Sequence, residues 1–175
     1  MVQIKKISVM GCHLITWDGY YIVGIDYDKF RIDFLKVELK KLQKDFGLSD
    51  FWIVETSKEK YHAICFDKVP VLTYRKILDN THADFIFSTK INFFGEPKVL
   101  RLPIQQDKKI KIYRVKSDWN NWREQSTAHK NLYSRFKIIP FVKTAHDDNN
   151  NQVSLVFYNK ILRQGNYARA KKYKL

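Results

Sequence analysis

Asp26 and Asp28 stand two residues apart at the end of an apolar run rich in β-branched and aromatic residues, Tyr20-Tyr21-Ile22-Val23-Gly24-Ile25. On a strand, residues i and i+2 share a face, so both carboxylates point to the same side. His62 falls at the start of a second such run, Tyr61-His62-Ala63-Ile64-Cys65-Phe66, and Asp84 at the start of a third, Ala83-Asp84-Phe85-Ile86-Phe87. Carboxylates gathered at one point repel unless a cation stands between them. Hard oxygen ligands suit magnesium or manganese, and paired ions of that kind clamp the attacking and leaving oxygens of a phosphoryl or nucleotidyl transfer. An isolated Asp-x-Asp also serves to cap a following helix, where acids are favoured. Convergence with His62 and Asp84 is what would distinguish a site from a cap.

The elements that must bring these residues together are legible from periodicity. Tyr20 to Ile25 reads as a strand ending in Asp26-Tyr27-Asp28. Ile32, Leu35, Leu39, Leu42 and Phe46 recur three and four apart, with Lys36, Lys40, Lys41 and Lys44 between them and Gly47 as a stop, which predicts an amphipathic helix. Phe51 to Val54 reads as a strand, Glu55 to Lys60 as a polar turn, and Tyr61 to Phe66 as the hairpin partner. Pro70 opens a short helix carrying Leu72, Ile77 and Leu78, and Ala83 to Phe87 reads as a fourth strand. Strand, helix, strand, strand, helix, strand is the order of an α+β fold of the ferredoxin-like or RRM-like split βαβ type, a βαββαβ palm. Right-handed crossovers give the sheet order fourth, first, third, second. The end of the first strand and the starts of the third and fourth then share one sheet edge. Strands about 4.8 Å apart would let Asp26, Asp28, His62 and Asp84 converge within roughly 5 to 10 Å.

Taken together, Gly24-Ile25-Asp26-Tyr27-Asp28, then Ile53-Val54-Glu55-Thr56-Ser57-Lys58-Glu59-Lys60-Tyr61-His62, then Ala83-Asp84, then Val99-Leu100-Arg101-Leu102-Pro103 resemble the archaeo-eukaryotic primase superfamily. The likeness is closest to the primase-polymerase domains of plasmid and virus replication proteins, and it covers roughly residues 20 to 103. The resemblance implies magnesium or manganese held by Asp26, Asp28 and Asp84, with Asp67 and Asp79 as alternatives for the third acid. It implies His62 on the phosphates of an incoming nucleoside triphosphate. It implies Arg101 as a phosphate or template contact; Lys60 and Lys90, read by their position near the proposed site, are further candidate contacts to nucleotide or template. Where relatives carry small residues or glycine in the turn before the histidine, this chain has Lys58-Glu59-Lys60, and Ile104 follows the Arg-Leu-Pro segment where a glycine is frequent. The implied activity is template-dependent nucleotidyl transfer in the replication of a mobile element, on a single-stranded DNA or RNA template, with a replicative helicase as a further partner.

Two other classes fit parts of the pattern. A rolling-circle initiator endonuclease shares the strand order but needs two histidines flanking one apolar residue, and His62-Ala63-Ile64 has one. A non-catalytic single-stranded nucleic-acid-binding module of RRM-like topology would present aromatics on its central strands, and Tyr20, Tyr27 and Tyr61 are available.

Composition bounds the remainder. The 175 residues carry 32 Lys and Arg against 18 Asp and Glu, a formal charge of +14, with 45% hydrophobic and 15% aromatic residues. That much apolar sequence suffices for a packed core, and so large a positive surplus is best relieved by a polyanion, nucleic acid ahead of an acidic membrane. No apolar run approaches the roughly 20 residues of a membrane span, and the start lacks a secretory pattern, so a cytoplasmic setting, or the host compartment where a mobile element replicates, is expected. Cys12 and Cys65 lie in apolar runs and read as small buried hydrophobes.

Residues 1–103 are read as the catalytic palm with an N-terminal hairpin strand, joined through Asp18-Gly19 to Tyr20. That strand would compete for a place beside the first core strand unless it diverges into a separate sheet. His13 and Trp17 are expected to be half-buried there. Residues 104–175 are read as a basic C-terminal α+β extension, packed on the palm or forming a small second lobe. It comprises a strand over Lys108–Lys116 with one basic face, a helix capped by Ser117-Asp118 and carrying Trp119, Trp122, Leu132, Tyr133 and Phe136, and a turn at Asp147 to Asn151. A tail from Lys160 onward has six basic residues and no acidic one.

Overall fold

The apolar run at Tyr21 becomes the strand on which both halves of the molecule meet. The computed structural model describes residues 6–85, 87–88, 99–101, 110–119, 123–135, 137, 155–161 and 171–173, with backbone alone at 6–10, 101, 155–161 and 171–173. Its elements are β1 (Lys6–His13), β2 (Tyr21–Asp28), α1 (Ile32–Phe46), β3 (Phe51–Ser57), β4 (Lys60–Val69), α2 (Val71–Asp79), β5 (Val99–Arg101), β6 (Lys111–Val115), α3 (Thr127–Arg135), β7 (Leu155–Ile161) and β8 (Lys171–Tyr173). They form an α+β fold with two four-stranded sheets, β2-β4-β3-β6 and β5-β1-β7-β8, in which every pairing is antiparallel.

In the first sheet, strict alternation decides what each face meets. Val23, Ile25 and Tyr27 of β2, Ala63 and Cys65 of β4, and Phe51 and Ile53 of β3 are all buried. They share one face by register, and α1 covers it: Tyr27 donates from its hydroxyl to Glu38 of α1, and Gln43 of α1 donates from Nε2 to the Val115 carbonyl of β6 at 3.0 Å. α1 ends where the sequence says it should. Gly47 takes φ 61°, a left-handed conformation open to glycine without a Cβ clash, and its N–H caps the Gln43 carbonyl. Leu35, Leu39 and Leu42 form the buried stripe.

β1 and β2 part company soon after their turn. Gly19 adopts φ 83° in the Asp18-Gly19 turn, Ile15 bridges Tyr21, and Ile22 N–H donates to the Leu14 carbonyl at 2.9 Å. β1 then leaves for the second sheet, where it runs between β5 and β7. That divergence removes the competition for the edge of β2. The two sheets touch at Gly24, where a Cβ would lie 2.5 Å from Leu100 Cδ1 and 2.7 Å from Leu14 Cδ2, both side chains being essentially inaccessible. Cys12 and Cys65 are free and buried, and burial pushes both thiols well above their usual range. Trp17, by contrast with buried His13, is exposed at the hairpin tip.

Several expectations for the later chain are corrected. Ala83 to Phe87 is not a strand: Phe85, Phe87 and Ser88 are helical, with Ile86 outside the described residues. The fourth place in the first sheet is taken by β6, on the far side beside β3. Lys111 lies opposite Glu55 and Arg114 opposite Trp52, so the two cations point to opposite faces and β6 has no single basic face. Each is ion-paired, Lys111 with Glu55 at 3.6 Å and Arg114 with Asp50 at 2.5 Å. The following helix starts at Thr127 rather than after Ser117-Asp118. Those residues instead dock onto the first sheet and α1, through Asp50 to the Ser117 N–H and Lys40 to Asp118. Strands from both sides of residue 103 enter both sheets. The Asp147 to Asn151 turn lies outside the described residues. Among the described residues no helix is long and apolar enough to cross a membrane.

Candidate active site

Asp26 and Asp28 close β2, and antiparallel pairing sets His62 opposite Asp26 and Lys60 opposite Asp28. Directly opposed residues share a face. Four ionisable side chains therefore line one patch, on the face away from α1. His62 Nε2 lies 3.5 Å from Asp26 Oδ1, and Lys60 Nζ lies 2.9 Å from Asp28 Oδ2. The two pairs differ in depth. The His62 and Asp26 side chains are 8% and 26% exposed, those of Lys60 and Asp28 47% and 39%. Neither aspartate caps α1, whose N-cap position is Arg31, without a side-chain capping bond, and whose first-turn acid is Asp33.

The hairpin that delivers His62 turns at Lys58-Glu59. Glu59 takes φ 59°, the conformation for which glycine or a small polar residue is the usual choice, and its carbonyl accepts the Phe30 N–H at 3.1 Å. The β3–β4 turn is thereby clipped to the connection between β2 and α1, fixing Lys60 beside Asp28.

Asp84 reaches the site from outside the sheet. Its N–H donates to the Asp26 carbonyl at 2.8 Å, on the edge of β2 that β1 has vacated. Its carboxylate turns back on its own chain: Oδ1 accepts the Phe87 N–H at 3.0 Å, while its carbonyl accepts the Ser88 N–H at 2.8 Å. Asp84 is thus an N-cap, and this local bond is why the segment coils instead of pairing. The alternatives for a third acid lie elsewhere. Asp67 is fully buried, accepting from Ser49 N–H at 2.7 Å, Ser49 Oγ at 2.5 Å and Gln125 Nε2 at 2.9 Å. Asp79 is the exposed last residue of α2. Arg101 belongs by its backbone to β5, opposite Gly11 in the second sheet, and Lys90 lies outside the described residues.

Whether these residues suit a divalent ion turns on their donors. Asp26 and Asp28 offer hard oxygens on one face, each now beside a cationic or proton-donating side chain. A metal–triphosphate carries both charges, the ion complementing the carboxylates and the phosphates complementing Lys60 and His62, so this donor set fits such a ligand. A larger cage is not assembled: among the described residues no group of three or more His, Cys, Asp and Glu side chains stands ready to hold an ion. One further carboxylate, Glu38, escaped the sequence reading. It lies three residues after Leu35 and four before Leu42, on the buried stripe of α1, and a charged residue there was the available signal.

No protein-family model, no curated protein and no solved structure matches the chain.

Proposed function

We propose that the chain is a nucleotidyltransferase of the primase-polymerase kind, adding nucleotides from triphosphates to a strand on a single-stranded template. The observation that carries the reading is the register of β2 on β4, which sets Asp26 against His62 and Asp28 against Lys60, with the Asp84 amide on the Asp26 carbonyl. The β2-β4-β3 order, with α1 on the crossover from β2 to β3 and a hairpin from β3 to β4, supports a palm of the split βαβ type. The +14 charge supports a polyanionic template.

A magnesium or manganese ion on Asp26 and Asp28 would supply the Lewis acidity that activates a 3′-hydroxyl and neutralises the departing pyrophosphate. The chain's own residues do the rest. Lys60, at the more exposed end of the patch, meets the triphosphate first and contributes a point charge. His62, nearly buried, donates a hydrogen bond from Nε2 to a phosphate oxygen in a setting from which water is largely excluded, where such a bond counts for more. Asp84 acts through its backbone, its N–H on the Asp26 carbonyl closing the edge of β2, while its carboxylate caps its own turn on the Phe87 N–H.

The test is incorporation of labelled nucleotide by the full chain on a single-stranded template with manganese or magnesium. Metal-dependent extension should fall about 10²-fold or more in Asp26→Asn and in His62→Ala, while affinity for the template stays within about twofold. A wild-type chain that binds the template but incorporates nothing, with binding indifferent to Asp26→Asn, would make this a binding module and not an enzyme.

A further inference from the structure

We infer that Glu38 is a positioning residue that holds the Asp84 segment against β2, an inference resting on the site reading above. Glu38 sits in the middle of α1 with a side chain only 10% exposed. A carboxylate so far removed from water is costly unless donors surround it. Its donors come from two places that matter. Oε1 accepts the Tyr27 hydroxyl at 2.9 Å and the His82 N–H at 3.0 Å, and Oε2 meets His82 Nδ1 at 2.5 Å.

Tyr27 is the residue between Asp26 and Asp28, turned to the opposite face of β2. Burial, with the Glu38 charge added, raises its phenol well above the ordinary range, so it stays a donor. A carboxylate only accepts, so Nδ1 of His82 must carry the hydrogen in that contact. His82 precedes Asp84 by two residues, and its ring also stacks on Phe30 with centroids 5.7 Å apart. One carboxylate on the helix therefore grips the strand bearing Asp26 and Asp28 and the segment bearing Asp84, whose N–H reaches the Asp26 carbonyl. Most of the His82 side chain stands in solvent, at 79% exposed. At His82 the hold is therefore its backbone N–H and Nδ1 on Glu38 rather than burial, while Ala83 and Phe87 pack against the core.

Hydrogen exchange of single amides in the full chain tests this independently of any activity. In Glu38→Ala the Asp84 amide should exchange about tenfold faster or more, with the Ala63 amide of β4 unchanged, and Glu38→Gln should restore much of the protection because its Oε1 can still accept. In the incorporation assay the same alanine variant should lower kcat about tenfold with little change in KM for the template, and Glu38→Gln should recover part of it. If Glu38→Ala is too unstable to purify, His82→Ala, which keeps the backbone bond but loses the ring contact, should give a smaller acceleration at Asp84 alone. Unchanged Asp84 exchange in folded Glu38→Ala, or in His82→Ala where that variant stands in, would overturn the inference. Absence of incorporation by the wild type would instead overturn the enzymatic reading and leave the exchange result to decide this one.

Discussion

His62 Nε2 stands 3.5 Å from Asp26 Oδ1, directly across the β2–β4 pair, and the histidine is the more deeply buried of the two. Two residues further along the same pair, Lys60 and Asp28 repeat the arrangement in a more exposed setting. The patch is therefore graded: an inner pair sheltered from solvent and an outer pair open to it. A ligand approaching this edge encounters charge at the rim before it reaches the histidine, so the two pairs should respond differently to mutation.

Lys60→Ala is expected to leave stability almost untouched, within about 1 kcal/mol, because an ion pair whose members are this exposed is screened by water. Its effect belongs to binding. Loss of a cation from the approach to the patch should raise KM for the nucleoside triphosphate about tenfold with a smaller change in kcat, measured alongside a urea denaturation curve. A large fall in denaturation midpoint with unchanged KM would show that Lys60 serves the hairpin and not a ligand.

Asp67 should behave in the opposite way. It is wholly buried and satisfies the Ser49 backbone and hydroxyl together with Gln125, tying the start of β3 to the segment before α3. Replacing it with Leu strands those donors in the interior and is expected to cost about 3 kcal/mol of stability. The fraction that remains folded should keep its full incorporation rate, as read by activity per mole of folded protein. A specific loss of metal-dependent activity in a variant of normal stability would instead make Asp67 part of the site.

How much of this was legible beforehand depends on whether the deciding interaction was local and periodic. The α1 stripe of Leu35, Leu39 and Leu42 with Gly47 at its end, the Asp18-Gly19 turn, and β2, β3 and β4 as neighbours all follow from spacing and turn chemistry. Ala83 to Phe87 is a short run rich in aromatic and β-branched residues that reads as a strand, yet the bond from Asp84 Oδ1 to the Phe87 N–H outweighs that preference. The place of β6 beside β3 is a pairing across more than 50 residues, which no local signal encodes. Trp119 suggested an early helix, whereas the described helix begins after Ser126, whose hydroxyl lies against His129. At the site, strand register alone brought Asp26 to His62. The clasp at Glu38 needed the loop after α2 to fold back across the helix.

His129 provides a test of the joint between α3 and β1 through pH. The imidazole is 1% exposed, with Nε2 on the His13 carbonyl at 2.8 Å and Nδ1 beside Ser126 Oγ at 2.7 Å. A carbonyl can only accept, so Nε2 carries the hydrogen and Nδ1 accepts from the serine. Burial lowers its pKa to about 4, against 6.5 for an unburied histidine, the carbonyl contact opposing the shift. The unfolded chain therefore binds the proton more readily than the folded one between these values. Stability is fully present above the unfolded pKa and is lost as pH falls towards the folded one. Between about pH 7.5 and about pH 5 this one group should remove about 2 kcal/mol. His129→Gln keeps one donor and one acceptor without titrating, so its stability should fall less over the same interval. Urea denaturation of both chains at the two pH values measures the difference. Equal losses would mean that His129 is charged in the folded protein and that the α3–β1 joint is open to water.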